Sequence, residues 1–487
     1  MLFNSYAFLI FFPIVVLFYF VLPIKFRSVF LLIASYYFYM VWNPKYIILL
    51  IGVTIISYIS GICLEKETNE KIRKRVLIIS LILLIGNLFV FKYLNFFIDN
   101  INNILAMGGK DIENRFNIIL PVGISFFTFQ AISYVVDVYR NPNEKERNFI
   151  LYALYIAFFP QLVAGPIERG EHLISQFKSV FKKKYSVTEM KTNFFHGSVT
   201  MAQGLFIKMV IADKAAVLVD YVFGNYYRYG TVELLLAAFL FALQIYCDFN
   251  GYTLIAIGVA RIFGINLMEN FNTPYFSESV TEFWRRWHIS LSSWFKDYVY
   301  IPIGGNRCSK FKQARNQIVT MLLSGLWHGA GWGYITWGVI HGILMCVERM
   351  FGKKEKDMRI SNRVLRMFST SCLITFTWIF FRADSLKDAI CYIERICTQW
   401  NVWALTDGTI YTLGLSRVKM GILTISLMIM LVISLIKYRS KQDFSVFLLT
   451  QPIWFRCAMM FLLCYMIICF GEYGSSVEKA QFIYFQF

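Results

Sequence analysis

The sequence predicts an all-α, polytopic membrane protein, and three observations carry that expectation. Hydrophobic residues make up 57% of the 487-residue chain and charged residues only 16%, whereas a soluble domain carries about 25% charged residues to cover its surface. The apolar residues gather into runs long enough to cross a hydrocarbon core of roughly 30 Å at about 1.5 Å per helical residue. The polar stretches between runs reach only about thirty residues, too few for an independent core. A single membrane domain over residues 1–487 is therefore expected, and a soluble enzyme is excluded.

Taken in order, the candidate spans are 3–23, 28–43, 45–64, 76–94, 117–137, 149–165, 197–222, 232–262, 317–328, 331–348, 367–382, 420–436 and 452–470. The first run lacks a basic start and a small-residue cleavage site, and Lys25 and Arg27 follow it, so an uncleaved span is expected rather than a signal peptide. The run 317–328 is too short to cross alone and reads as half of a broken or re-entrant helix, buried in protein or lining a cavity.

Lys66–Arg75 holds five basic residues, and Lys182, Lys183 and Lys184, Arg307–Arg315, Lys353–Arg366 and Lys437–Lys441 are also basic. Such loops stay in the cytoplasm. Three spans precede Lys66 and one follows Lys441, which puts both termini outside. The net charge of +18 comes from these clusters and suits lipid headgroups. No separate basic face carries interleaved stacking residues, so no nucleic-acid partner is expected. The ten cysteines include no C-x-x-C, and Cys247, Cys372, Cys464 and Cys469 lie in apolar runs. They read as buried thiols in helices, with neither a disulfide framework nor a metal site.

The segment 275–316 differs from the rest. Trp284, Trp287, Leu291 and Trp294 recur at helical spacing, and Arg285, His288, Ser292 and Lys296 mark another face. This predicts an amphipathic, interfacial helix with tryptophans at headgroup depth.

Of the five histidines, His172 and His196 flank a basic loop and read as surface residues, while His341 sits mid-span, where it can bond a neighbouring helix. His328, in LWHGAGW, follows an apolar run. Ionisable groups at that depth usually face a polar cavity or pathway, and a packed, satisfied histidine is the other reading. Gly325, Gly329 and Gly333 recur every four residues, a spacing that lets another backbone approach. An imidazole suits proton transfer at neutral pH, and one in a dry site can take a proton from a hydroxyl attacking a thioester. Asp137, Asp248 and Asp384 lie near apolar runs, and Asp137 and Asp384 read as structural acceptors. A nucleophile elbow, a phosphate-binding Walker loop and an H-E-x-x-H zinc motif are all absent.

Beyond these patterns, the chain resembles the membrane-bound O-acyltransferase (MBOAT) family, within it the bacterial alginate O-acetyltransferase type. The resemblance runs from LFNSYAFLIFFPIVVLFYFVLP at the N-terminus through LPVGISFFTFQAISYVVDVYR at 120–140 and FFPQLVAGPIERG at 158–170. It continues through QIYCDFNGYTLIAIGVARIFGINLMENFNTPY at 244–275, FWRRWHISLSSWFKDYVYIPIGGNR at 283–307, LSGLWHGAGWGYITWGVIHG at 323–342, WIFFRADS at 378–385 and the terminal FIYFQF. The order and spacing of the pieces are more specific than any one piece. CDFNGY departs from the pattern, which favours a small residue such as serine at Cys247 or Asn250.

The resemblance implies roughly 11–14 transmembrane or re-entrant helices around a central tunnel. It matches His328 to the family's essential histidine, the expected general base. It matches His288 to a second signature position, asparagine in many eukaryotic members, from which a side chain can orient substrate or stabilise an oxyanion. Arg285 and Arg286 are inferred to hold an anionic donor, and Trp327, Asp248 and Asn250 are further candidates for substrate or donor binding. The implied activity is O-acetylation of an extracellular or cell-wall polysaccharide at the bacterial cytoplasmic membrane. Acetyl-CoA is the donor substrate, no cofactor is bound, and an extracytoplasmic protein receives the acetyl group. Two alternatives stand beside it. One is D-alanyl transfer to teichoic acid, which the shorter relatives perform. The other is a proton-coupled transporter using the histidines as a relay, although such proteins favour paired, repeated halves and none are visible.

Overall fold

A computed structural model describes residues 1–106, 116, 118–163, 165–351 and 360–473. The terminal FIYFQF and the basic stretch 353–359 lie outside the described residues. The chain forms two compact units, Met1–Ser198 with Ala256–Met268, and Val199–Ile255 with Glu269–Phe487. Every described element is helical, and no strand occurs among the described residues.

The first unit holds α1 (Tyr6–Val21), α2 (Ile24–Met40), α3 (Ile47–Lys66), α4 (Glu70–Lys92), α5 (Leu94–Ala106), α6 (Ile124–Arg140), α7 (Phe149–Ala157), α8 (Phe159–Leu162), α9 (Gly170–Val180) and the start of α10 (Val187–Leu205). The expected span 149–165 is broken. Pro160 lies in the first turn of α8, where its missing N–H costs nothing, and Phe158, two residues earlier, leaves the helical conformation with φ −53° and ψ 111°. The Ser35 hydroxyl accepts the Phe159 N–H at 3.1 Å, so the break leaves that donor satisfied. His172 is half-exposed, and its Nδ1 lies 2.6 Å from the buried Glu168 carboxylate. That hydrogen bond raises its pKa above the usual histidine value.

The second unit begins with the end of α10 and a π-helical segment, Phe206–Ala212, followed by α11 (Asp213–Gly224), the 32-residue α12 (Thr231–Ile262, whose last turns belong to the first unit), α13 (Val280–Arg286) and α14 (Ile289–Phe295). Then come α15 (Lys310–His328), α16 (Trp332–Phe351), α17 (Ile360–Arg382), α18 (Leu386–Thr398), α19 (Arg417–Ser440), α20 (Phe444–Leu449) and α21 (Ile453–Phe470). Residues five apart diverge by about 140° on an α-helix. The wider π turn, closed by the Asp213 N–H on the Lys208 carbonyl, lets the two side chains meet. Lys208 Nζ sits 2.5 Å from Asp213 Oδ1 and 2.6 Å from Asp248 Oδ1, with all three side chains buried.

Six helices among the described residues are long and apolar enough to cross a membrane: 44–66, 70–92, 231–262, 360–382, 417–440 and 453–470. The apolar window of α21 is only 11% buried and that of α19 only 17%, so lipid is the solvent for their outer faces. Cys247 is buried, but Cys372, Cys464 and Cys469 stand on such exposed faces, contrary to the expectation of buried thiols. In this unit, Arg363 near the start of α17 donates to the Tyr438 hydroxyl near the end of α19 at 3.4 Å. The basic ends of the two helices therefore share one level.

The short run 317–328 belongs to a continuous 19-residue helix, α15, whose first turns are charged. Its pairing with α16 depends on missing side chains. A Cβ at Gly338 would lie 2.4 Å from the Met321 carbonyl oxygen, and one at Gly325 would lie 2.2 Å from that of Tyr334. Gly333 faces the Phe380 carbonyl of α17 instead, so the glycines serve two contacts rather than one stripe. Gly338→Val is expected to destabilise the protein by about 1–3 kcal/mol, because backbone opposes the new methyls. A melting midpoint in detergent equal to wild type would contradict this packing account.

Candidate active site

All seven candidate residues lie in the second unit. His328 ends α15, since Gly329 is extended. It is 3% exposed, and His288 is fully buried. The expected single helix across 275–316 is interrupted at His288, which takes the left-handed conformation with φ 42° and ψ 54° and reverses the chain between α13 and α14. Trp284, Trp287 and Trp294 are buried in protein, not exposed at headgroup depth.

Asn270 holds the reversal in place. Its carbonyl accepts the Ile289 N–H at 2.9 Å, and its side-chain oxygen accepts the Ser290 hydroxyl at 2.6 Å. Two residues on, the Asn272 N–H donates to the Arg286 carbonyl at 3.0 Å. These bonds fix the backbone on both sides of His288.

The two imidazole centroids are 6.4 Å apart, with an interplanar angle of 59°. That is too far for a direct bond between the rings, and near enough for one oxygen to reach a nitrogen of each at about 2.8 Å. An aromatic wall surrounds them. Phe249 meets His288 at 4.6 Å, and Trp337 and Phe381 meet His328 at 5.4 Å and 5.3 Å. Trp327 touches both, at 5.8 Å from His288 and 5.0 Å from His328. Such a site excludes water and strengthens any electrostatic interaction within it. Here one imidazole can remove a hydroxyl proton while the other supports developing charge.

The remaining candidates divide. Phe249 faces His288, whereas its neighbours are engaged elsewhere. Asp248 is ion-paired to Lys208, and the Asn250 amide donates to the Tyr246 hydroxyl at 3.4 Å. The adjacent arginines separate too. Arg286 pairs with Glu282 at 2.7 Å and donates to Thr273 at 3.1 Å. It lines a small polar cavity with Lys437 and Asp443.

Arg285 lines a larger cavity of about 1000 Å³, at the upper end of small-ligand sites. Its wall includes Ile289, next to His288, and Ser324, one helical turn before His328. Four cations line it, Arg285, Lys296, Arg307 and Arg349, and its lining includes no carboxylate. Lys296 and Arg307 stood out in the sequence only as one of a polar face and one of a basic cluster, and Arg349, Asn270, Lys208 and Trp337 did not stand out at all. Only the fold gathers the four cations around one cavity. His341 does bond its neighbours, Thr377 of α17 and Trp284 of α13.

Residues 142–381 match the family model described as MBOAT, membrane-bound O-acyltransferase family. The chain is 38% identical over 432 residues to the probable alginate O-acetylase AlgI of Pseudomonas aeruginosa, covering 88% of this chain and 81% of that protein. It is 35% identical over 421 residues to the peptidoglycan O-acetyltransferase of Helicobacter pylori, covering 80% and 78%. To the teichoic acid D-alanyltransferase of Bacillus subtilis it is 30% identical over 285 residues, covering 54% and 68%.

Proposed function

Because the chain belongs to the membrane-bound O-acyltransferase family, we propose that this multi-pass enzyme of the bacterial inner membrane moves acetyl groups from cytoplasmic acetyl-CoA to an extracytoplasmic polysaccharide. The single observation that carries this reading is the pairing of a buried two-histidine site with a cavity lined by four cations. Phosphates of a coenzyme thioester are the matching anions, since arginine recognises them with charge-assisted, often bidentate bonds. Arg349 lies beside Glu348, which accepts the Val280 N–H, and nearby Glu278 pairs with Arg363. The cavity thus lies near the basic helix ends, which favours donor entry from the cytoplasm.

In the chemical step, the Nε2 or Nδ1 of His328 takes the proton of an acceptor hydroxyl. The hydroxyl oxygen forms a bond to the thioester carbonyl carbon, and the oxyanion is supported from the His288 side. The carbon–sulfur bond then breaks, and the proton passes to the departing thiolate. The acceptor hydroxyl belongs to an extracytoplasmic partner protein that passes the acetyl on, or to the polymer itself. Arg285 and Trp327 are assigned to the donor and to the wall of the site.

Long coverage by O-acetylating relatives supports acetyl over D-alanyl transfer. Nothing in the fold favours a transporter. Inside-out membrane vesicles supplied with acetyl-labelled acetyl-CoA are expected to release thiol and place label in an alkali-labile ester. Arg349→Ala is expected to raise the donor KM about 10–100-fold, the scale of a charged hydrogen bond. Absence of chain-dependent thiol release would reject the donor, and an unchanged KM would reject the cavity as its site.

A further inference from the structure

We propose that His341 is a positioning residue that works with Glu348 to hold His288 at its working distance from His328, an inference that rests on acyl transfer at that pair. Trp284 Nε1–H donates to His341 Nδ1 at 3.1 Å. The Thr377 hydroxyl donates to the Ile374 carbonyl at 2.8 Å. Thr377 Oγ1 is therefore free to act only as acceptor toward His341 Nε2, 3.0 Å away. The imidazole is thereby fixed as the neutral Nε2–H tautomer, with both nitrogens committed. His341 is fully buried, as is Thr377 at 1% exposure.

Glu348 lies seven residues further along α16, two turns on and on the same face. One of its oxygens accepts the Val280 N–H at 2.5 Å, and the other accepts the Thr281 N–H at 2.9 Å and its hydroxyl at 2.8 Å. It satisfies amides at the start of α13 and suits that end of the helix dipole. One face of α16 therefore grips α13 at its first turn and at Trp284, four residues before His288. The same helix packs against α15 through Gly338 and places Trp337 against His328. Both catalytic candidates are thus referenced to α16, and His341 affects their separation without touching the reacting atoms. A misplacement of about 1 Å at a reacting centre can cost 10²-fold in rate.

The test compares His341→Leu and His341→Gln in the full-length protein in membrane vesicles, reading thiol release from acetyl-CoA. His341→Leu is expected to lower kcat about 10–100-fold, with donor KM within about twofold of wild type. His341→Gln, which keeps an acceptor for Trp284 and a donor for Thr377, is expected to recover most of kcat with an unshifted pH profile. Equal loss in both variants, or a shifted pH profile in the glutamine variant, would overturn the proposal by making the imidazole a chemical participant. If His341→Leu does not fold, Trp284→Phe removes the same bond, and wild-type kcat there would overturn it as well. His328→Ala run in parallel separates the two ideas. Full activity in that variant rejects acyl transfer at the histidine pair, whereas an inactive His328→Ala beside a fully active His341→Leu rejects only the positioning role of His341.

Discussion

His328→Ala is expected to cut alkali-labile acetate on the cell's secreted and wall-bound polysaccharide by about 10²–10⁴-fold, the range for removing a general base. The comparison requires matched membrane levels of the two proteins. His328 is buried among Trp327, Trp337 and Phe381, so alanine also leaves a void that lowers stability. His328→Gln fills more of that space and does not provide a base of matched pKa, so it is expected to fail to a similar degree. Acetate at wild-type levels with either variant would remove His328 from the chemistry. The site would then be a packed aromatic core with two satisfied histidines, the other reading of the segment.

The second large effect is expected on stability, at the ion cluster around Lys208. Lys208→Ala takes away the cation shared by Asp213 and Asp248, and breaking a buried ion pair costs about 3–5 kcal/mol because the remaining charge stays desolvated. Both carboxylates are buried, so water cannot take the place of the lysine. Thermal unfolding in detergent should show a large fall in midpoint. Adding Asp213→Asn and Asp248→Asn to Lys208→Met should restore much of it, since the charges leave together. A single Lys208→Ala variant as stable as wild type would mean that these carboxylates find another partner, and the ion cluster would carry no structural weight.

The long helices were legible because hydropathy is a property of runs, and α3, α4, α12, α17, α19 and α21 are runs. Helices α5, α9 and α18 were not, because half of each is polar and the run is diluted to loop-like composition. The break at His288 was hidden for a different reason. Trp284, Trp287, Leu291 and Trp294 keep helical spacing whether or not the helix is continuous, and no glycine or proline marks the turn. Arg285 and Arg286 read as a unit in sequence, but consecutive helical residues diverge by about 100°, enough to send them to different cavities. His328 was legible through its setting and the motif around it. Lys208 was not, since a lone lysine within FIKMVIADK shows its meaning only beside Asp248, forty residues on.

The left-handed backbone at His288 bears on how this position can vary. Non-glycine residues seldom adopt that conformation, and asparagine, aspartate and histidine do so several-fold more often than others. The position is therefore filtered twice, once by a torsion angle and once by chemistry. A valine would fail the first filter whatever its surroundings, and a glycine would meet the first and fail the second. Asparagine meets the first and still offers a hydrogen bond to a developing oxyanion. Exchange between histidine and asparagine here is thus the exchange the main chain itself permits, and the repertoire at residue 288 is narrow before any substrate arrives.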